Sequence, residues 1–443
     1  MKLKLNTLQF LALGYLTTIL AGSILLCMPI SSKSGEFTNF FNSLFTATSA
    51  TCVTGLVVYD TFAHWSIFGQ VVILILIQLG GLGFMTVITL IFMLFKRKIG
   101  LFERVVLMQS AGSYNLSGII KLIKKIVIGT FIFETTGMIL LATRFIPLLG
   151  VGKGIYYALF HSVSAFCNAG FDLMGCMEQF SSLTYFYSDP VVSLTITGLI
   201  IIGGIGFIVW SDLWQTRFRF KKFQLHTKIV VVYNGFLIIF GMLLYLVFEY
   251  NNAFSGMTFG QKLLCSFFQS VTPRTAGFNT CDITKLSESG SLLTVILMFI
   301  GGNPGSTAGG VKVTTVVIVF SNLLTSAKNG DETNIFNRRV SAKLIKQASS
   351  LFLVYLSAII LSTILILAVE PYTIKQVLFE VTSAIGTVGL SYGITPHLTY
   401  ASKTIIIFLM FAGRMGAFSL FSVFFSGTEK ERLVKPEGKV LIG

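Results

Sequence analysis

"FTATSATCVTGL", Phe45 to Leu56, closes a short apolar segment with a glycine, and the same design returns three times. "FHSVSAFCNAGF" runs from Phe160 to Phe171, "FFQSVTPRTAGF" from Phe267 to Phe278 and "FEVTSAIGTVGL" from Phe379 to Leu390. Aligned without gaps, each string places a Phe ten residues before a glycine and a Leu or Phe directly after it. The glycines are Gly55, Gly170, Gly277 and Gly389, spaced 115, 107 and 112 residues apart. A fixed pattern at near-constant spacing is the mark of an internal repeat.

The apolar segments that carry these strings, Thr38–Ala50, Gly152–Ala165, Thr258–Val271 and Thr373–Ala384, are too short to cross a bilayer and read as re-entrant. Around them lie longer apolar stretches: Leu8–Ile30, Phe68–Phe95, Ile126–Ala142, Pro190–Trp210, Ile229–Phe248, a broken Leu292–Leu324, Leu351–Val369 and Thr404–Phe425. Each is long enough to span the hydrocarbon core. Leu8–Ile30 exceeds the core of a cleaved signal and reads as a retained span. Hydrophobic residues form 53% of the chain and charged residues only 12%, about half the charge of a soluble domain.

A second landmark follows each string: "LGGLGF" around Gly81, "IGGIGF" around Gly204, "IGGNPG" around Gly302 and "FAGRMG" around Gly413. The expected fold is therefore an all-α integral membrane protein. Four parallel helix–pore-helix–helix repeats, with eight full spans and four re-entrant pore helices, surround one pseudo-fourfold pore. The repeats occupy 1–110, 111–228, 229–346 and 347–427, and 428–443 forms a cytoplasmic tail. Two crossings per repeat give all four copies one orientation, unlike inverted-repeat transporters.

The net charge of +15 is unevenly placed. On the side holding the N-terminus, Phe95–Lys125, Ser211–Lys228, Ser326–Lys346 and the tail, 23 Lys and Arg face 7 Asp and Glu. The opposite side holds 7 basic and 9 acidic residues. This positive-inside bias puts both termini in the cytoplasm and explains the basicity without nucleic acid. The six cysteines show no metal spacing and read as small buried hydrophobes.

Non-helical backbone at membrane depth must be buried in protein or line water. Four equally oriented repeats bring their glycine strings around one axis, with the negative C-terminal ends of the short helices aimed inward. Such an axis suits a dehydrated cation held by backbone carbonyls. The expected lining is Val53, Thr54 and Gly55; Asn168, Ala169 and Gly170; Thr275, Ala276 and Gly277; and Thr387, Val388 and Gly389. The opposing reading, glycines that only permit close packing, suits Gly80, Gly81, Gly203 and Gly204 better.

The third repeat carries "GGNPGSTAGGVK", Gly301 to Lys312. Pro304 removes a backbone donor, and Gly305, Gly309 and Gly310 disfavour helix. The expectation is that only this span dissolves at its landmark, while the other three continue as helix. A short loop just cytoplasmic of the glycine strings reads as a gate, formed by Gly305, Ser306, Thr307, Ala308, Gly309, Gly310 and Lys312. A passive kink is the alternative. Glu134, Arg274, Lys312, Glu380 and Arg414 fall at membrane depth, where ionisable residues are costly. Arg414 either raises a barrier in the pore or makes a structural pairing. Arg274 and Glu380 read as bonded behind the glycine strings, Glu134 as bonded to a neighbouring helix, and His161 as structural.

These strings, with "GGNPGSTAGG", resemble the Trk/Ktr/HKT superfamily of potassium transporters, and most closely the bacterial Ktr membrane subunit, over nearly the whole chain. The "TVGYG" of tetrameric potassium channels is absent; "TVGLS", Thr387 to Ser391, is the nearest match. The resemblance implies potassium as cargo, with sodium as an additional or alternative cation. In some plant members a Ser at the first filter glycine accompanies sodium preference, so Gly55 leans towards potassium. It further implies a homodimer with one pore per protomer, seated on a cytosolic ring of nucleotide-binding regulatory subunits, and an intramembrane gating loop. With neither a Walker A lysine motif nor G-x-G-x-x-G before a soluble βαβ unit, the chain itself is expected to bind no nucleotide. Two rival classes fit less well. His64, His161, His226 and His397 form no catalytic or metal spacing, which disfavours a hydrolase, and parallel repeats disfavour an organic-solute carrier.

Overall fold

The computed structural model describes residues 6–95, 99–110 and 118–416. One order of elements recurs four times. First come α1 (Thr7–Cys27), α2 (Phe40–Thr51), the single turn α3 (Thr61–His64), α4 (Ile67–Leu82) and α5 (Phe84–Leu94), followed by α6 (Leu101–Ser110). Next are α7 (Ile119–Leu149), α8 (Val151–Phe166), α9 (Pro190–Ile205) and α10 (Phe207–Gln215). The third set is α11 (Leu225–Phe248), α12 (Phe259–Val271), α13 (Glu288–Phe299) and α14 (Val313–Ala327). The fourth is α15 (Ala342–Leu367), α16 (Ile374–Gly386) and α17 (Tyr400–Met415). Within each set the long first helix packs on the short second one.

The first helices α1, α7, α11 and α15 are each long and apolar enough to cross a membrane. They turn large hydrophobics outward: Leu20 and Ile24 on α1, Phe131 and Ile132 on α7, Phe236 and Ile239 on α11, Leu361 and Ile364 on α15. The short helices do the reverse. Ser43, Ser49, Ser162, Ser164, Ser266, Ser270, Thr382 and Ser383 are buried. Apolar groups outside and hydroxyls inside is the arrangement of a chain solvated by lipid rather than water. Capping fixes where the short helices begin. The Asn39 side chain caps α2, and capping boxes at Thr258 and Thr373 start α12 and α16.

The third set is not alone in breaking after its glycine string. Helix stops at Gly83, between α4 and α5, and at Gly206, between α9 and α10, where the axis bends by 90°. Gly416 ends α17. Each of these residues, like Gly305, lies three positions after another glycine of its landmark string (Gly80, Gly203, Gly302, Gly413), and φ is positive at all four. Only glycine enters that region without strain. The landmark glycines themselves secure close approach. A Cβ on Gly80, Gly203 or Gly413 would collide with the carbonyl of Thr51, Phe166 or Ile385, at the C-terminal ends of α2, α8 and α16.

Between α14 and α15 a small hairpin pairs Asn334–Ile335 with Arg338–Arg339. Phe336 and Asn337 at its turn both have positive φ, as the mirror-image turns of two-residue hairpins require.

Candidate ion pathway

The four glycine triplets meet at one place. A Cβ added to Gly55 would lie 2.5 Å from the Ala169 carbonyl oxygen, and one on Gly170 would lie 2.6 Å from that of Ala276. On Gly277 it would strike the Val388 carbonyl, and on Gly389 that of Thr54. Each glycine thus abuts the residue before the next glycine, and the fourth returns to the first: a closed ring in chain order. The backbone repeats as faithfully. The first residue of each triplet, Val53, Asn168, Thr275 or Thr387, has positive φ, and so does each glycine.

The N–H groups of the triplets point back to the short helices. Thr54, Ala169 and Val388 donate to the carbonyls of Ser49, Ser164 and Ser383, each at 2.8 Å, and Ala276 donates to Thr272 at 2.9 Å. Gly55 and Gly389 donate to the hydroxyls of Ser49 and Ser383, both at 3.0 Å. No backbone donor reaches any carbonyl of the four triplets among the described residues. Buried carbonyls normally have partners, and these oxygens keep their lone pairs free of backbone donors.

On the side where the triplets end, a cavity of about 850 Å³ opens, lined by Gly55, Gly170, Gly277 and Gly389 together with Asp60, Asp172 and Glu178. Asp60 accepts from Ala63 N at 2.7 Å and Phe180 N at 2.9 Å. Asp172 accepts from Met174 N at 2.9 Å. Burial pushes the Asp172 carboxyl up to about 7; the Asp60 charge adds to the rise, and bonds from Met174 and Ser182 oppose it.

On the other side lies the segment 300–313. Its ends are tied together by a bridge between Ile300 and Val311 and by Val313 N donating to Gly302 O at 3.1 Å. It docks on the break after α9: Asn303 donates to Gly204 O through its N–H, 3.2 Å, and its amide, 2.9 Å, while Phe207 N donates to Gly305 O at 2.8 Å. Thr307 donates to Phe166 O at 3.3 Å. Gly309 presses on Thr387, the first residue of the fourth triplet, and Gly310 on Gly386 just before it. Asn303, Thr307, Ala308 and Val311 are buried. Lys312 Nζ donates to Ala308 O at 2.7 Å and Gly309 O at 3.0 Å. Arg414 donates to Thr307 O and Gly80 O, and to Gly81 O at 3.2 Å. The expected gate residues are therefore assembled in one cluster, and Arg414 has carbonyl partners from two other repeats.

The other ionisable residues expected at membrane depth each find at least one side-chain partner. Gln78 donates to Glu134 at 3.3 Å, from α4 to α7. Glu380 accepts from Ser391 at 2.8 Å and from Thr395. Arg274 donates to Asn234. His161 takes the Leu173 N–H at Nε2, 3.3 Å, which leaves Nδ1 to donate to Tyr157 O at 2.7 Å. Two residues escaped the sequence reading, Asn234 and Asn303, which bond to each other at 3.0 Å. The reading also passed over the last glycine of three landmark strings, Gly83, Gly206 and Gly416.

Residues 11–435 match the family described as TrkH, cation transport protein. The chain belongs to the TrkH family. It is 40% identical to the potassium/sodium uptake protein NtpJ of Enterococcus hirae, over 99% of this chain and 98% of that protein. It is also 40% identical to the Ktr system potassium uptake protein B of Bacillus subtilis, over 98% of this chain and 96% of that one. The crystal structure of the potassium transporter TrkH from Vibrio parahaemolyticus has the same fold, with a TM-score of 0.74 over 95% of this chain and 85% of that one, at 17% identity. Members of the TrkH family are ion transporters and not enzymes, which removes the hydrolase reading.

Proposed function

We propose that this chain takes up potassium across the plasma membrane through a single pore whose selectivity filter is the ring of four glycine triplets. One observation carries the reading: a closed ring of backbone carbonyls without backbone donors, between an acidic vestibule and a buried loop. A dehydrated potassium ion replaces the missing donors. The names of the relatives favour potassium, with sodium as second cargo. The eight spans form four parallel repeats at 1–110, 111–228, 229–346 and 347–427, with both termini in the cytoplasm. The segment Gly305–Gly310 is the gate, held shut by Lys312 and Arg414.

Control comes from a cytosolic nucleotide-binding ring under a homodimer. The basic stretches Arg217–Lys228 and Arg338–Lys346 face it jointly: the Phe220 and Phe336 rings stand 6.4 Å apart edge to face, among exposed Arg219, Lys221, Lys222 and Arg339. In this reading the tail 428–443 joins the same surface; it lies outside the described residues.

Rubidium and sodium flux into liposomes tests the filter. Rubidium should enter faster than sodium, and Gly→Ser at any of the four glycines should reduce the ratio. Equal entry of both ions in the native protein would make it a weakly selective cation transporter. Unaltered flux in all four variants at equal expression would remove the ring from the ion path.

A further inference from the structure

The residue after the leading Phe differs in kind from string to string: Thr46, His161, Phe268 and Glu380. All four are buried. His161 and Glu380 reach across to the chain that leaves their own glycine. His161 Nε2 accepts from Leu173 N, three residues past Gly170, at 3.3 Å. Glu380 accepts from Ser391, two residues past Gly389, at 2.8 Å, and from Thr395. Thr46 instead donates to Asn42 O at 3.0 Å within its own helix, and Phe268 carries no polar group. The glycine ring closes in chain order, so the second and fourth repeats face each other across it. One position of the repeat therefore serves as an anchor on two opposite sides.

Each anchor completes a set. Through Ser383, α16 holds Val388 N and Gly389 N before Ser391 is reached. Through Ser164, α8 holds Ala169 N and Phe171 O before Leu173. Glycine leaves its backbone free to turn either way. A chain fastened on both sides of its glycine loses that freedom, and its carbonyls keep one spacing. The first and third repeats fasten differently: Asn42 bonds the Tyr59 hydroxyl at 2.7 Å, and Thr272 holds Phe278 O at 2.6 Å. An ionisable group is costly at this depth, and neither His161 nor Glu380 makes an ion pair among the described residues. Pairing of charges therefore does not account for them, whereas the bonds to Leu173 and Ser391 do.

We propose that His161 and Glu380 are positioning residues for ion selectivity. Each fixes the chain beyond its glycine, so that the carbonyls of the second and fourth triplets do not close on an ion smaller than potassium. This deepens the reading of the glycine ring as the ion path and rests on it.

Rubidium and sodium flux into liposomes gives the readout as a ratio, which loss of folded protein leaves unchanged because it lowers both fluxes alike. In Glu380→Leu and His161→Phe the rubidium-to-sodium ratio should fall several-fold, and Glu380→Gln, which keeps one acceptor oxygen, should retain most of it. Ser391→Ala removes the donor and leaves the buried acid bonded to Thr395, so it tests the same bond even where a core variant fails to fold; its ratio should fall as well. Thr46→Val and Phe268→Leu, at the same position of the other two repeats, should keep the native ratio. A native ratio in both Ser391→Ala and His161→Phe overturns the proposal while the filter reading stands. A loss of the same size in Thr46→Val and Phe268→Leu does so too, since it would mark the position as packing in every repeat. A native protein that admits both ions equally overturns the filter reading and this role together.

Discussion

Arg414 shows how one side chain is placed by three parts of the chain. It leaves α17, bonds Thr307 in the loop and reaches the carbonyls of Gly80 and Gly81 at the end of α4. Lys312 takes the next two loop carbonyls. Two basic side chains therefore sit on three consecutive loop carbonyls beneath the glycine ring and fasten the loop; in the function proposed here they would also oppose a passing cation. Arg414→Ala should raise cation flux in liposomes at unchanged protein yield; a fall in both flux and yield would leave Arg414 with a structural role alone. Asp172 acts at the opposite mouth. Its carboxyl, raised to about 7 by burial, is ionised above that pH and neutral below it. With potassium below saturation, uptake should decline as external pH drops through about 7, because the vestibule loses a charge that concentrates cations. Asp172→Asn should show a flat profile across the same interval, and an Asn variant that still declines would assign the titration elsewhere.

The loop is the element that distinguishes the third repeat. Its Pro304 and glycines prevent helix, and its polar groups are satisfied partly within the loop, through Ser306 and Lys312, and partly by Gly204, Phe207, Phe166 and Arg414. Removing Gly305–Gly310 takes away the contacts with Thr387, Gly386 and Arg414 together. The deletion should increase potassium flux and make it indifferent to the nucleotide on the ring. A folded deletion variant with low, still regulated flux would leave the loop a passive kink. Sequence alone disclosed the four strings, the short helices to within two residues, and the presence of this loop, because each is written in residues whose backbone needs are unusual. It did not disclose the breaks at Gly83 and Gly206. Apolar residues continue without interruption across them, and a hydrophobic run looks the same whether it is straight or bent by 90°. Nor did it disclose the Asn234–Asn303 bond, since partners 69 residues apart leave no local pattern.

For the whole molecule, outward hydrophobics and inward hydroxyls fix the solvent, and family membership fixes the task. The cytoplasmic surface is where assembly should be sensitive. Truncation after Gly427 should loosen the dimer or its union with the regulatory ring, seen as a smaller species by size-exclusion chromatography with light scattering. A truncated protein that elutes as the intact complex would confine docking to the loops 217–228 and 338–346.

The ring of glycines has one joint that no adjacent loop holds together. Three joints connect neighbouring repeats, but the fourth sets Gly389 against Thr54, two residues made far apart in time on the ribosome. Until synthesis has passed residue 389, the ring lacks its fourth corner. Its closure is therefore an all-or-nothing product of translation: three quarters of this chain do not make three quarters of a ring.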